Sequence, residues 1–529
     1  MDADVAVVGY GPTGMAMTAL LARAGYRVVV LERYAGLYNL PRAAIFDDET
    51  MRTFALLGIA GEMLSKVRVQ RSYQWRNGTG DLLIEHEFAE TGRCGWAEWY
   101  MMYQPDLEDA LDRVCRALPA ADIRHRSLVT AISQDAERVT LHVDGGGPVT
   151  ARYVVACDGG NSFTRRALGI GQHDYGFSEP WLVCDFRLRR DLPLPPAMQV
   201  CDPCQPIAII SLGPGHHRFS FMLDSDQDFE AQRQPGRVWP RVARFLGQDD
   251  ADLVRAATYT FRSLVTRSWR AGRILLAGDA AHEMPPFLGQ GMCSGIRDAQ
   301  NLAFKLDLVL RGRASERLLD TYQAEREPHV RAVIEKGIEL GRVQTMRDPA
   351  AAAGRDRELL ARRAASQVPA KIRFPGLSGG MLSSRPAPGR GELFVQGTVA
   401  DGRRQGRFDD VVGTGWTLLV TAPLRPALDR SGVADALHEA GVRVVAVATD
   451  GAGPAPDESG LVHDLTGRYR QWFAEHDCGA VAVRPDFYVY GCASQASAGT
   501  LAAELLAELG GTVPVAGRMP GIEPSAVLS

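Results

Sequence analysis

Charge of either sign is not in surplus in this 529-residue chain, where 59 basic residues against 63 acidic ones leave a formal net charge of −4. That balance excludes the electrostatic footprint by which a protein grips nucleic acid or an anionic membrane surface. Long apolar runs are missing as well. No stretch reaches the ~18 residues of a membrane-spanning helix, so no span is expected. The first apolar run follows Asp2 and Asp4 rather than a basic segment, so a secretory signal is not expected and the cytoplasm is the expected compartment. Cysteine is sparse and odd in number, nine in all, which fits a reducing environment and excludes a dense disulfide framework. The one C-x-x-C, Cys201 to Cys204, could be a redox pair or half a zinc site, but no second ligand pair lies at metal spacing. Asp202-Pro203 inside it and Pro206 after it read more simply as a turn joining two strands.

What is present begins at the N-terminus. Val5-Ala6-Val7-Val8 is a buried-strand run, Met15 to Ala24 is a small-residue helical run, and Gly9-Tyr10-Gly11-Pro12-Thr13-Gly14 lies in the turn between them. In such a turn Gly9 permits a sharp reversal, Gly11 lets backbone approach a pyrophosphate, and Gly14 allows close packing of helix on strand. The helix N-terminus then offers free N–H groups and roughly half a positive charge to the phosphates. A second strand, Arg27 to Leu31, ends at Glu32, near the ~20-residue spacing at which an acid holds a ribose hydroxyl and disfavours a 2′-phosphate. Far downstream stands Gly278-Asp279-Ala280-Ala281-His282, and the two segments together can grip both ends of one dinucleotide. They point to bound FAD.

The length allows about three domains at ~100–200 residues each. A helix is expected to open at Asp47-Asp48-Glu49, because acids suit a helix N-terminus. Residues 138–157 read as a hairpin returning to a buried central strand, Tyr153 to Cys157, which ends at a second strand-to-turn junction, Asp158-Gly159-Gly160. Leu182 to Leu188, Ala208 to Leu212 and Arg218 to Leu223, broken by proline and glycine, have the pattern of an antiparallel sheet. Ile274 to Ala277 is another buried strand, and a long helix begins near Met292 and runs past Leu310. Residues 345–395 are rich in Ala, Arg, Gly and Pro and read as a helix fragment plus linker. Beyond them, strands at 417–420, 442–448, 480–483 and 487–490 with helices at 425–440 and 498–509 suggest a small α/β domain.

This constellation resembles the class A flavoprotein monooxygenases, the single-component aromatic hydroxylases related to p-hydroxybenzoate hydroxylase and phenol hydroxylase. The resemblance covers about 345 residues strongly and rests on three fingerprints in order: Gly9 to Gly14, Asp158-Gly159, and Gly278-Asp279 with its sequel Pro285-Pro286-Phe287-Leu288-Gly289-Gln290-Gly291-Met292. No second glycine-rich turn for a separately bound nicotinamide is visible, which favours these hydroxylases over two-dinucleotide oxidoreductases. The wording Pro41-Arg42-Ala43, Asp47-Asp48-Glu49 and Cys201-Asp202-Pro203 is similar to the 3-(3-hydroxyphenyl)propionate hydroxylase branch. The C-terminal segment resembles the thioredoxin-like domain appended to many members, here without C-x-x-C, so redox work there is not expected.

The resemblance implies an α/β fold: a Rossmann-like FAD-binding domain in residues 1–180 and 271–345, an inserted antiparallel-sheet substrate domain in 181–270, a helix fragment and linker in 346–395, and a thioredoxin-like domain in 396–529. It also implies FAD contacts from Gly9, Gly11, Pro12, Thr13 and Gly14, from Glu32 with Arg33 at the ribose, and from Arg42 and Gln104 at the phosphate or ribityl region. Asp158 and Gly159 would serve both FAD and reduced nicotinamide, Asp279 would hold the ribityl chain, and Pro286, Gly289, Gly291 and Met292 would border the flavin ring. Cys293 departs from the family's usual asparagine. The implied activity uses NADH or NADPH and O2 to form a C4a-hydroperoxyflavin, whose distal oxygen is attacked by an activated ring, a phenol or hydroxypyridine, ortho or para to its hydroxyl. The substrate would be a small aromatic or a natural-product intermediate, and no residue can be assigned to a substrate carboxylate.

No side chain can be singled out as catalytic. Asp47, Tyr100, Tyr103, His216 and His217 lie where they could face a cavity, yet Asp47 also reads as a helix cap and the histidines as an exposed turn beside Gly213-Pro214-Gly215. Trp96, Trp99 and Tyr100 could wall a pocket or simply pack a core. Baeyer–Villiger or epoxidising chemistry on the same fold, and a non-catalytic flavin binder, stay open as alternatives. Halogenation is disfavoured by the absence of a W-x-W-x-I motif. No coiled-coil heptad announces an interface, so a homo-oligomer is neither required nor excluded.

Overall fold

Unbroken valine, isoleucine and leucine runs are satisfied only in strands covered on both faces. The computed structural model, which describes residues 1–367, 369, 371–449 and 460–511, places them in such a sheet. In spatial order it comprises Arg270–Ala271, Ile274–Leu276, Val149–Ala156, Ala3–Val8, Val28–Leu31 and Ala121–Arg124. All neighbours are parallel except the first pair. Val5 sits between Tyr153 and Val28, so Ala3–Val8 is central. The expected hairpin is present: Val139–Val143 runs antiparallel to Val149–Ala156.

A second sheet has the order His282–Glu283, Ala251–Thr266, Gln172–Leu188, His216–Met222, Ile207–Ser211, Ala197–Cys201, Ser72–Asn77, Leu82–Glu87. Its neighbours are antiparallel apart from Ala197–Cys201 beside Ser72–Asn77. Side chains alternate faces along a strand, and the burial follows that period. Leu182, Cys184, Phe186, Ile207, Ile209, Phe219 and Phe221 pack with Val238 and Val242 of helix Pro235–Val242 in one core. Trp181, Val183, Ala208, Ile210 and Ser220, on the opposite face, border a cavity.

The chain forms two compact units, one of Met1–Gly92, Trp96–Ala299 and His329–Phe374, the other of Arg93–Gly95, Gln300–Pro328 and the described residues from Pro375 onward. This corrects the boundaries read from the sequence in three places. The substrate sheet is not confined to 181–270, because Gln172–Leu188 starts earlier and Ser72–Glu87 supplies its last two strands. Residues 300–328 group with the C-terminal unit. The expected helix fragment is a full helix, Pro349–Ala364, capped by Asp348, which accepts the Ala351 N–H at 2.6 Å. Boundaries are legible where composition shifts, and no such shift marks residue 300, which lies inside helix Gly291–Leu310.

The second unit has the thioredoxin-like arrangement. Its described strands order as Gln405–Arg407, Thr398–Ala400, Leu461–Asp464, Arg443–Ala448, Thr417–Thr421, Ala480–Val483, Val489–Ala493. The last strand starts at Val489 rather than at residue 487, because Phe487 has a φ of +72° and cannot extend. The helix expected over 425–440 is divided into Arg425–Arg430 and Val433–Glu439 by Gly432 in the left-handed region. Within this unit Arg484 is fully buried, bonded to Glu325 at 2.5 Å, to Asp486 at 2.7 Å and to the Met381 carbonyl at 2.8 Å. Lys305 reaches Glu325 at 2.8 Å, so two buried cations face two buried anions. Removing one partner of such a set leaves an uncompensated buried charge. Arg484→Met is expected to destabilise this unit by about 3–5 kcal/mol, seen as a lowered urea midpoint; an unchanged midpoint would show the network to be dispensable.

Candidate active site

The first glycine turn is held by contacts that no side chain could enter. Gly9 has a φ of +96°, and a Cβ there would lie 2.5 Å from the Cys157 carbonyl oxygen. A Cβ on Gly14 would strike the Gly9 carbonyl oxygen. The helix opens at Pro12, three residues before the expected start, with Gly11 as its cap and no capping side chain. Pro12 has no N–H, so those of Thr13 and Gly14 remain for an anion.

Thr13 is where the distant motifs meet. A Cβ on Gly278, whose φ is +61°, would sit 2.8 Å from Thr13 Oγ1, and one on Gly295 would collide with the same atom. Gly278-Asp279-Ala280 forms a short 3-10 turn held by Asp298, whose Oδ2 accepts the Gly278 N–H at 3.0 Å and contacts His282 Nε2 at 2.6 Å. Both side chains are fully buried. Asp279 itself opens into the cavity, and the surrounding protein raises its carboxyl pKa by desolvation, against the charges of His282 and Arg42. The loop after it ends at Gly289 with φ +62°, wedged against Ile45, and helix Gly291–Leu310 follows.

The remaining expected cofactor residues are placed as follows. Glu32 accepts the N–H groups of Tyr10 at 2.8 Å and Tyr34 at 2.9 Å, which fixes its carboxylate at the end of Val28–Leu31. Arg33 is exposed and lies over the Tyr34 ring, away from the cavity lining. Arg42 reaches across Gly11 and pairs with Glu108 at 3.3 Å, while Gln104 donates to the same carboxylate at 2.6 Å. Asp158 accepts from Ser162 Oγ at 2.5 Å and from the Thr164 N–H at 2.9 Å, so its carboxylate braces its own turn. Gly159 is the residue of that motif that borders the cavity.

One cavity of about 430 Å³ brings most of these groups together. Gly11, Pro12, Thr13, Asp279, Gly289 and Met292 bound one side, and the second sheet bounds the other. The aromatic part of the far wall is built by Trp181 and Phe261, 6.1 Å apart between ring centres, and Phe287 of the Pro286–Leu288 turn meets Trp181 at 6.2 Å. Tyr73 and Gln199, which sequence reasoning missed, stand in the same wall.

None of the candidate catalytic residues borders this cavity. Asp47 caps helix Asp48–Leu56 by accepting the Thr50 N–H at 2.9 Å and is bonded to Arg297, which also holds Glu49 and Gln290. Tyr100 stacks on Phe46 at 4.9 Å and Trp99 on Phe88 at 4.5 Å, so with Trp96 they are core. Tyr103 and His216 stack on each other at 4.1 Å. His217 is not an exposed turn residue: it is buried, and burial pushes its pKa down to about 4. The Cys293 thiol is buried with its pKa pushed up to about 12 by desolvation, 3.8 Å from the Gly289 carbonyl, and it remains a neutral packing group. Cys201 to Cys204 is the expected strand connection, with the Cys204 N–H bonded to Asp202 at 2.9 Å. The described residues contain no cluster suited to a metal and no helix long and apolar enough to cross a membrane.

Comparison with known proteins fits this geometry. The FAD-binding-domain family matches residues 2–337, and the HcaD C-terminal-domain family matches 391–508. The chain belongs to the FAD-binding-domain family of class A flavoprotein aromatic hydroxylases. It is 53% identical to the probable NADH-specific resorcinol 4-hydroxylase of Rhodococcus jostii (strain RHA1), covering 98% of this chain and 96% of that protein. It is 33% identical to the 3-(3-hydroxy-phenyl)propionate/3-hydroxycinnamic acid hydroxylase of Mycobacterium sp. (strain JLS), covering 93% and 90%. Among solved structures, aklavinone-11 hydroxylase with FAD and aklavinone aligns at a TM-score of 0.73 with 25% identity, over 96% of this chain and 99% of that one. OxyS anhydrotetracycline hydroxylase from Streptomyces rimosus aligns at 0.70 with 26% identity, over 93% and 96%.

The residues present fit FAD. The uncapped helix start, the converging glycines and the Asp279 carboxyl open to the cavity form a cradle that side chains would otherwise fill. Asp298→Asn keeps its volume but leaves Gly278 and His282 sharing one neutral amide oxygen. Leaving a buried polar group unpaired costs roughly 1–3 kcal/mol, so FAD affinity should fall by about tenfold, read as equilibrium FAD release by flavin fluorescence. Affinity within twofold of the parent would refute the positioning role. A second expectation concerns acid. The unfolded chain protonates His217 at about 6.5 and the folded chain only near 4, so stability is lost as pH falls through that window. His217→Gln should lessen this loss by about 3 kcal/mol, measured as denaturant midpoints at pH 7 and pH 4.

Proposed function

We propose that this chain hydroxylates a small dihydroxybenzene, resorcinol or a close relative, using bound FAD, NADH as reductant and O2. The observation that carries this reading is that one cavity has the nucleotide motifs on one side and, on the other, a sheet wall bearing Trp181, Tyr259 and Phe261. The relative named as a probable NADH-specific resorcinol 4-hydroxylase supports both the ring and the reductant.

In this reading Thr13 and Gly14 present their N–H groups to the pyrophosphate, with Gly9, Gly11 and Pro12 shaping the approach, and Glu32 holds the adenosine ribose. Arg42 and Gln104 flank the phosphate and ribityl region, and Asp279 holds the ribityl chain. Pro286, Gly289, Gly291 and Met292 border the ring system. FAD, when bound, accepts hydride from the nicotinamide and activates dioxygen for transfer to the ring. The N–H groups at the start of Gly291–Leu310 are preorganised toward negative charge developing beside them. Trp181, Phe261 and Phe287 exclude water and clamp a flat substrate. In resorcinol, the carbon ortho to one hydroxyl is para to the other, so both oxygens feed electrons to the same position.

The test is NADH oxidation by purified holoenzyme with resorcinol, phenol and 3-(3-hydroxyphenyl)propionate, with products followed by mass and NMR. Resorcinol is expected to stimulate oxidation most and to yield a product one oxygen atom heavier, a trihydroxybenzene. FAD-loaded protein that oxidises NADH no faster with any of the three rings would overturn the reading, and a lactone product would move it to ring insertion.

A further inference from the structure

Most polar groups on the cavity wall are already committed. Arg218 makes a bidentate pair with Asp185 at 2.6 and 3.1 Å and donates to the carbonyls of Arg42 and Pro41. Arg42 is paired with Glu108. Arg262 is exposed and Glu283 stands near its charge. One pair in the sheet is only partly committed. Strand Ala197–Cys201 lies parallel to Ser72–Asn77 with Gln199 beside Trp75, which leaves Tyr73 as its diagonal neighbour on the same face, and both Tyr73 and Gln199 border the cavity. Tyr73 is 3% exposed and Gln199 is 2% exposed. The Gln199 amide donates to the Tyr73 hydroxyl, and Gln199 Oε1 has no partner among the described residues.

We propose that Tyr73 and Gln199 form a neutral two-point anchor for one substrate hydroxyl and thereby select dihydroxybenzenes over aromatic acids. This rests on the aromatic-hydroxylase reading above and adds the residues that choose the ring. With the amide donating to tyrosine, the pair offers the cavity one donor, the Tyr73 O–H, and one acceptor, Gln199 Oε1. Turning the amide over leaves an N–H donor and the tyrosine oxygen as acceptor, so the pair shows one of each in either orientation. A phenolic hydroxyl is itself one donor and one acceptor, and it matches both. A carboxylate only accepts, and would set its charge against an unpaired carbonyl oxygen. Burial raises the Tyr73 hydroxyl pKa well above its ordinary value, so this donor stays protonated at any working pH. Val183, Ala208 and Ile210 of the same wall carry no cation, and of the arginines that border the cavity Arg42 and Arg218 are already paired with Glu108 and Asp185 while Arg262 stands near the charge of Glu283.

The experiment titrates oxidised holoenzyme with resorcinol and with 3-(3-hydroxyphenyl)propionate, following the flavin absorbance spectrum, for the parent, Tyr73→Phe and Gln199→Met. Binding is thus read without turnover, and FAD content and melting temperature report folding. Each variant is expected to bind resorcinol at least tenfold more weakly with FAD content retained, and the parent's preference for resorcinol over the acid should shrink by a similar factor. A purely structural role would lower melting temperature without moving that preference. Resorcinol affinity within twofold of the parent in both variants would overturn the anchor while leaving the hydroxylase reading intact. A parent that binds the acid more tightly would overturn the neutral selection. Failure of turnover with preserved, variant-sensitive binding would count against the function alone.

Discussion

The site depends on how closely backbone can approach backbone around Thr13. Gly9 lies against the Cys157 carbonyl, Gly14 closes on Gly9, and Gly278 and Gly295 close on Thr13, so four segments distant in sequence share one small volume. Any Cβ among them would force the segments apart, and two of these glycines, Gly9 and Gly278, also occupy the left-handed region. The consequence reaches beyond sterics. Because no side chain intrudes, the helix N-terminus at Pro12 stays open to an anion, and the turn at Gly278 sits where its next residue, Asp279, faces the same space. The Asp298–His282 pair then fixes that turn from behind through a single buried carboxylate oxygen.

A parallel sheet supplies the nucleotide face, and an antiparallel sheet supplies the wall opposite. The second sheet does two jobs through its period of two. Leu182, Cys184 and Phe186 build a core with the helix behind, while Trp181 and Val183 face the cavity. Shifting that register by one residue would exchange core for cavity and remove both. Register is therefore strongly specified here, and the long pairing from Gln172 opposite Thr266 to Leu188 opposite Ala251 holds it against slippage.

Much of this was legible in the sequence because the signals are local. Strand, glycine turn and helix are adjacent in the chain, so Ala3–Val8 and Pro12–Arg23 could be read within a residue or three, and the loop from Pro285 to Met292 announced itself by composition. What escaped depends on contacts between distant positions. Ser72–Asn77 joins the substrate sheet although it lies a hundred residues before the rest, and nothing within that run marks its partner. His282 was visible within its motif, but Asp298 sits on a helix where an acid ordinarily reads as surface charge. Asp158 carried a family role, whereas its carboxylate is turned onto Ser162 and Thr164 in its own loop, a use that local spacing would equally allow.

The catalytic candidates failed for a related reason, and the failure is informative about the chemistry. Asp47, His217 and Tyr100 are all titratable or aromatic, yet each is consumed by packing, capping or an ion pair. Around Tyr73 and Gln199 the cavity wall presents Ala208 and Ile210 beside one neutral amide–phenol pair. That stretch of wall carries no strong base, so under the proposed function a substrate seated against it would arrive uncharged and already activated by its own oxygens. An electron-rich dihydroxybenzene meets that condition without a protein base. A simple phenol, with a pKa near ~10, would gain more from a nearby base than this wall supplies.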